Sequence, residues 1–175
     1  HIVEDLQMGL DFCRSGKPPL FCPAARVSSY FPRSDEGLNT QRTRWEHGHL
    51  GVILSDAPKL LLESLRRGNW PLLGMTFDLL VPPLALLTLA AVAAFSMAWL
   101  LFMLSGLLAP AMLASIGMLL LGVAIVLAWG KCGRDVISFV TLLYAPFYVL
   151  KKIPLYLGFL LKRQVDWVRS KRDDS

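Results

Sequence analysis

The strongest constraint on this chain is a stretch without any charged residue, residues 79–130. It is roughly fifty residues long, and one bilayer-spanning helix needs about 20 mostly apolar residues. We therefore predict a mainly α membrane protein with two transmembrane helices, at residues 79–104 and 109–129. Ser105-Gly106 lies between them and Pro110 follows at the start of the second span; together they predict the connecting turn.

The composition of the two predicted spans bears on function. No Asp, Glu, Lys, Arg or His lies inside either span, which argues against an ion or proton pathway formed by these helices alone. This disfavours a transporter or a channel. Small residues at Ala90, Ala94, Gly117 and Gly122 form faces that allow close helix packing.

Basic residues flank the pair of spans and predict its orientation. Arg66 and Arg67 precede the spans, and Lys131 and Arg134 follow them. Two spans return the chain to its starting side, and basic flanks are typical of the cytoplasmic side. The net charge of +5 is thus better explained by a membrane surface than by nucleic acid, which we do not expect as a partner.

The segment before the spans, residues 55–70, has the pattern of a short amphipathic helix. It starts at Ser55-Asp56-Ala57-Pro58 and ends at Gly68. Four leucines give it an apolar side and four charged residues give it a charged side; these are Leu60, Leu61, Leu62 and Leu65, and Lys59, Glu63, Arg66 and Arg67. This pattern predicts either a helix in the membrane interface or a helix packed on the soluble part, and the sequence favours neither.

The segment after the spans, residues 131–175, is predicted to be interfacial and to end in a basic cytoplasmic tail. Residues 139–161 are apolar but interrupted by Pro146, Lys151, Lys152 and Pro154. A full span would place two lysines near the middle of the bilayer at a cost of several kcal/mol. We therefore predict a broken helix on the cytoplasmic surface of the membrane.

The polar N-terminal part, residues 1–54, contains mixed structural signals. Residues 4–14 predict a helix with Asp5 in its first turn, where a carboxylate complements the helix dipole or can act as a base. Residues 20–22 and 25–28 read as short extended pieces that would close the edge of a sheet. Residues 32–40 are polar and predict a loop.

The residues with the clearest chemistry are Gln41, Arg44 and Trp45, in the spacing Gln-x-x-Arg-Trp. An Arg fork matches phosphate oxygens, an indole face suits a sugar ring, and a Gln amide can hydrogen-bond a hydroxyl or a phosphate. These types suit a sugar diphosphate. An ordinary amphipathic turn with a buried Trp and solvated arginines explains the spacing equally well on its own.

The order of motifs is more specific than either motif alone. Val3-Glu4-Asp5 precedes Gln41-x-x-Arg44-Trp45, and transmembrane spans follow. In this order the chain resembles the C-terminal half of a membrane-bound family 2 glycosyltransferase of the bacterial cellulose-synthase and chitin-synthase kind. The resemblance implies that residues 1–54 are the C-terminal part of a GT-A α/β catalytic domain. It also implies Asp5 as the catalytic base and Glu4, Gln41, Arg44 and Trp45 as substrate-binding residues.

The resemblance further implies an inverting transfer from a nucleotide sugar, with a UDP-sugar expected, to a growing polysaccharide or a lipid-linked acceptor. Mg²⁺ or Mn²⁺ would hold the diphosphate. The chain has no Asp-x-Asp and does not open with Met, so we expect a fragment, inactive alone, of an enzyme of the bacterial inner membrane. The metal site would lie in the missing part. The alternative is a non-catalytic anchor or scaffold subunit of a polysaccharide-synthesis complex.

The remaining histidines and cysteines carry little signal. His47 and His49 form a His-x-His pair whose rings point apart on a helix, so we interpret them as polar or hydrogen-bonding residues and predict no metal ligand. His1 lies near the acidic pair in sequence. The three cysteines, Cys13, Cys22 and Cys132, form no Cys-x-x-Cys pair and are expected as reduced thiols.

Overall fold

The computed structural model describes residues 4–28 and 34–161. The described residues are mostly helical and contain no β-strand. The helices are α1 (Glu4–Arg14), α2 (Asp35–Ser55), α3 (Ala57–Arg67), α4 (Trp70–Leu79), α5 (Leu84–Ser105), α6 (Leu108–Ala128), α7 (Phe139–Leu143), α8 (Ala145–Lys151) and α9 (Ile153–Leu161). A π-helical turn, Trp129–Gly133, continues α6.

The chain divides into two compact units. The first comprises residues 1–82 and the residues from Gly158 onwards, and the second comprises Pro83–Leu157. The first unit contains α1 to α4, and the second contains the two long apolar helices, α5 and α6.

The first unit is built around an apolar core to which each of its first four helices contributes. The core residues are Leu10 and Cys13 of α1, Val52 of α2, Ala57 and Leu60 of α3, and Leu72 and Leu79 of α4. Burial raises the pKa of the Cys13 thiol, because an apolar surrounding disfavours the thiolate. Cys13 is therefore a structural residue that packs.

Glycines end two helices of the first unit in the left-handed region. Gly16 follows α1 with φ 76°, and Gly68 follows α3 with φ 62°. At both positions a residue without a Cβ avoids backbone strain. The predicted helices at residues 4–14 and 55–70 are thus confirmed as α1 and α3, and their predicted stop signals are the ones used.

Asn69 connects three helices of the first unit. Its side-chain oxygen accepts a hydrogen bond from Leu72 N at 3.1 Å and so caps α4, while its Nδ2 donates to Cys13 O at the end of α1 at 3.3 Å. An Asn side chain can do both because it carries an acceptor and two donors. The junction between α3 and α4 is thereby tied to α1.

Two predictions for the first unit are wrong. Residues 20–22 and 25–28 form no strand, because a strand needs a paired neighbour and the described residues provide none. Residues 35–40, assigned to a loop, are helical, since Ser34 caps the helix and Asp35 and Glu36 lie in its first turn, where acids complement the dipole. Helix α4 was not predicted, because its apolar sequence merges with the span that follows.

The second unit contains two helices long and apolar enough to cross a membrane. They are Leu84–Ser105, with a mean hydropathy of 2.2, and α6 with its π-helical turn, Leu108–Gly133, with 2.5. Gly106, with φ 74°, lies between them. The first helix starts later than predicted, because Pro82 and Pro83 keep the residues before them out of helical geometry.

The small residues that were predicted to allow close helix packing lie on open faces of α5 and α6. Ala90, Ala94, Gly117 and Gly122 are exposed, and a Cβ added at either glycine would meet nothing within 4 Å. Ala111 is instead fully buried. The sequence shows where the small residues are. Which face of each helix makes the contact is decided by the larger side chains that pack there.

A polar contact also joins these two helices. Trp99 Nε1 donates to Ser115 Oγ at 3.2 Å, and Ser115 donates in turn to Ala111 O at 2.7 Å. In an apolar surrounding each of these groups needs such a partner. The pair fixes the register of α5 against α6.

The segment after the spans is broken, as predicted. Short helices end at Leu143 and Lys151, and Pro146 and Pro154 lie in the first turns of the helices that follow. Proline is tolerated there because its missing N–H would have no helical partner. Its position at a membrane surface stays a prediction, and residues 162–175, the predicted basic tail, lie outside the described residues.

Candidate functional site

Helix α2 carries the Gln-x-x-Arg-Trp motif two turns from its start. Ser34 Oγ caps the helix by accepting a hydrogen bond from Gly37 N at 3.2 Å, and Thr40 Oγ1 donates to Glu36 O at 2.8 Å. At the other end Val52 reaches the core of the first unit. The motif is therefore held on a regular, capped helix, which positions side chains more rigidly than a loop does.

Gln41 and Arg44 lie on the buried side of α2. The 3.6-residue period places them on one stripe with Gly37, Gly48 and Gly51, and all three glycines are buried. A glycine lets neighbouring groups approach the helix backbone closely. The two long polar side chains of the motif are thus flanked along the helix by residues without side chains.

Two atoms on this stripe lack hydrogen bonds. Gln41 Oε1 and Arg44 Nε are buried, and neither finds a hydrogen-bond partner in the part of the chain that the structure describes. A buried polar group left unpaired costs roughly 1–3 kcal/mol, and more if it is charged. Natural proteins rarely carry such atoms without a partner from elsewhere, such as water or a ligand.

Trp45 completes the motif at the border of this stripe. It follows Gln41 by one helical turn, and its side chain is 45% exposed. The prediction of a buried Trp in a merely structural turn therefore does not fit. A half-exposed indole next to buried polar groups offers a flat apolar surface to a ring-shaped ligand.

The acidic pair lies at the start of α1. Glu4 and Asp5 are both exposed, and Asp5 Oδ1 accepts a hydrogen bond from Leu6 N at 2.9 Å. Neither residue forms an ion pair or a hydrogen bond with Gln41 or Arg44 within the described ranges. The structure thus leaves Asp5 accessible, and its assignment to one site with the motif stays a prediction.

The two histidines of α2 hold structural contacts. His47 is buried, with its ring edge-on to the ring of Phe159 at 5.3 Å. His49 Nε2 donates to Leu79 O at 3.1 Å, because a carbonyl oxygen can only accept. His49 therefore joins the motif helix to the end of α4. His1 lies outside the described residues.

No metal site is present in residues 4–28 and 34–161, where no group of three His, Cys, Asp or Glu side chains could hold an ion. The described residues do not fit the Mg²⁺ or Mn²⁺ that the resemblance implies, since a divalent ion needs several oxygen ligands. We therefore derive no chemical step through a metal from these residues.

Sequence reasoning missed two residues that tie helices of the first unit together. Asn69 could be suspected from its position after Gly68 and before an apolar run, which is typical of a helix cap. The bond from His49 to Leu79 O spans thirty positions along the chain, and no local pattern indicates it.

The fold and the site together define a helical protein with two membrane-length apolar helices, preceded by a polar unit in which a half-buried Gln and a half-buried Arg lie on one side of a helix. The family comparison fits this description, because the family model described as Glycosyl transferase family group 2 matches residues 1–129. The chain belongs to this glycosyltransferase family. No curated protein and no solved structure matches the chain.

Proposed function

We propose that this chain is the C-terminal part of an inverting membrane glycosyltransferase of the cellulose-synthase and chitin-synthase kind. It would move a hexose from a nucleotide sugar, most simply a UDP-sugar, to a growing polysaccharide or another hydroxyl acceptor. Residues 1–54 would complete a GT-A catalytic domain on the cytoplasmic side of a bacterial inner membrane. The observation that carries the proposal is the pair of buried, unpartnered atoms on Gln41 and Arg44.

The chemistry of the pair supports a substrate site. Arg44 presents N–H donors and Gln41 presents an acceptor on the same stripe of α2. A nucleotide sugar supplies phosphate oxygens for the former and hydroxyl donors for the latter. A bound substrate would therefore satisfy both orphan atoms, and Trp45 would lie against the acceptor sugar.

Each remaining group has a role in this proposal. Asp5 would accept the proton of the acceptor hydroxyl as that oxygen attacks the sugar, and Glu4 would contact the substrate beside it. Negative charge builds on the leaving diphosphate, so Arg44 stabilises the transition state more than the ground state. The divalent metal, which would add to this effect, would be held outside the described residues.

The test compares two arginines on α2. Arg44→Lys in the full-length protein keeps the charge but loses the planar fork, so release of nucleoside diphosphate should fall at least about tenfold, the loss expected when one charge-assisted contact is removed. Arg42→Lys is the matched control, because Arg42 is exposed on the opposite side of the helix. It should retain turnover near the wild-type rate.

The assay uses membranes containing the full-length protein, a panel of nucleotide sugars and added Mg²⁺ or Mn²⁺. Release with one donor identifies the sugar. Wild-type turnover in Arg44→Lys would contradict a substrate contact at Arg44. Absence of release with every donor and acceptor from folded protein would instead favour the scaffold subunit.

A further inference from the structure

Helix α3 has two different sides. Ala57, Leu60 and Ser64 are buried in the first unit. The opposite side carries Lys59, Leu62, Leu65 and Arg66, all exposed, and we call these four residues the outer face of α3. The helix thus packs on the first unit, which is one of the two alternatives that the sequence left open. Its outer face exposes leucines and basic residues together.

The charge of the outer face is positive and uncompensated. Glu63, the acidic residue of α3, is only 23% exposed and is bound by Arg14 at 3.1 Å and by Arg67 at 3.0 Å. Lys59 and Arg66 form no ion pair with any residue that the structure describes. The positive charges of Lys59 and Arg66 therefore indicate an anionic partner that is not among the described residues.

The leucines of the outer face expose apolar surface to water, which is unfavourable. Leu62 is 49% exposed and Leu65 is 62% exposed, and they lie between the two basic residues along the helix axis. Trp70, at the start of α4, is 73% exposed. Apolar side chains close to basic ones, with an exposed indole soon after them in the chain, are typical of a segment that lies at the headgroup level of a bilayer.

Continuity of the chain keeps this surface near the membrane. Helix α4 follows α3 directly, and Leu80–Pro83 is the whole connection from α4 to the membrane-length helix that starts at Leu84. The outer face of α3 is therefore tethered within a short distance of the bilayer. A second copy of the chain is a poorer partner, since two basic faces would repel each other.

From these observations we propose that the outer face of α3 is a binding surface for the headgroups of anionic lipids. Lys59 and Arg66 contact the lipid phosphates, and Leu62 and Leu65 insert at the level of the glycerol backbone. The surface prefers an anionic to a zwitterionic bilayer, and this preference is independent of whether the site on α2 transfers a sugar.

The experiment places an environment-sensitive bimane label on the outer face in the full-length protein. Leu65→Cys supplies the attachment site, with the exposed Cys22 and Cys132 replaced by Ser and the buried Cys13 retained. The protein is reconstituted into nanodiscs of phosphatidylcholine with or without phosphatidylglycerol, each with brominated acyl chains. Quenching of the label by the brominated chains reports its contact with the bilayer.

We expect several-fold stronger quenching in the discs that contain phosphatidylglycerol, and less of it at high ionic strength, which screens the contact. Each basic side chain near an anionic surface contributes roughly a fivefold preference. Lys59→Gln with Arg66→Gln should therefore remove most of the difference in quenching between the two kinds of disc. Lys17→Gln with Arg26→Gln removes the same charge from exposed sites elsewhere and should leave it unchanged.

Three results would overturn the proposal. They are equal quenching in both kinds of disc, an equal loss in the Lys17 and Arg26 control, and cross-linking of two copies through the introduced thiol in place of quenching. The thermal unfolding temperature of each variant is measured alongside, so a loss of fold is recognised as such. Turnover does not enter the readout, so failure of this proposal and failure of the proposed sugar transfer are distinguishable.

Discussion

Gln41 and Arg44 combine two properties that a purely structural residue would not keep. Gln41 Oε1 and Arg44 Nε are buried on α2 beside buried glycines, and neither atom finds a hydrogen-bond partner within the described residues. Such an arrangement lowers the stability of the free protein. Such a loss of stability is tolerated where a ligand supplies the missing hydrogen-bond partners, because functional sites often bind at the cost of stability.

A substitution at Gln41 should therefore change stability and activity in opposite directions. Gln41→Met keeps the length of the side chain and removes the unpaired oxygen, so the free energy of unfolding should rise by about 1 kcal/mol. Turnover should fall, because the contact to the substrate is lost. Thermal unfolding and release of nucleoside diphosphate measure the two effects.

Gln7→Met on α1 is the control for the stability effect. Gln7 is partly exposed, so the same exchange there should change stability by less than about 0.5 kcal/mol. A Gln41→Met variant that is less stable than the wild type would show that the Gln41 oxygen has a partner in the free protein.

The residue types of the site were predictable, and their surroundings were not. The spacing of Gln41, Arg44 and Trp45 implies one helix face, and α2 provides it. The burial of this face beside Gly37, Gly48 and Gly51 results from packing with elements that are distant in sequence. Helical periodicity alone does not predict such packing. The hydrogen bond from His49 to Leu79 O could not be predicted from the sequence for the same reason, because it joins distant elements.

At the scale of elements, the helices with strong local end signals were predicted best. Helix α1 ends at Ser15-Gly16 and α3 ends at Gly68, as their sequences indicate. The starts of α2, α4 and α5 depend on Ser34, Asn69 and Pro83. Each of these residues lies next to an apolar or polar run that indicates a different helix start. Helix α4 was missed because a helix packed against a core and the start of a membrane span have the same apolar composition.

Asn69 provides the prediction at this scale. Asn69→Ala removes both the cap of α4 and the bond to Cys13 O, so the free energy of unfolding should fall by about 1–2 kcal/mol. Thermal or denaturant unfolding of the purified full-length protein measures the loss.

Asn39→Ala is the matched change, because Asn39 is exposed within α2. Alanine favours a helix more than asparagine does, so this variant should be as stable as the wild type or slightly more stable. Equal stabilities for the two alanine variants would show that the junction between α3 and α4 does not depend on Asn69.

At the scale of the whole molecule, membrane topology provides the broadest test. In the proposed topology, both membrane-length helices cross the bilayer and the turn at Gly106 returns the chain to its starting side; basic residues on both flanks predict that this side is cytoplasmic. Cys22 precedes the pair of helices, Cys132 lies in the π-helical turn that ends the second helix, and both thiols are exposed. A membrane-impermeant maleimide should therefore label them only after the cells are permeabilised.

A cysteine in the turn between the spans gives the opposite expectation. Leu107→Cys, in a background with Cys22 and Cys132 replaced by Ser, should be labelled in intact cells. The buried Cys13 should not react in either case. Labelling of Cys132 in intact cells would contradict the proposed orientation.

The central claim is a transfer of sugar in which Asp5 acts as the base beside the motif of α2. The most direct measurement compares Asp5→Asn with the wild-type full-length protein, using donor binding by calorimetry and release of nucleoside diphosphate from the same preparations. Asparagine keeps the shape of the side chain and cannot accept the proton. The account predicts that release falls by a factor of at least about 100 while donor affinity is retained. Unchanged release, or an equal loss of binding and turnover, would contradict the role of Asp5.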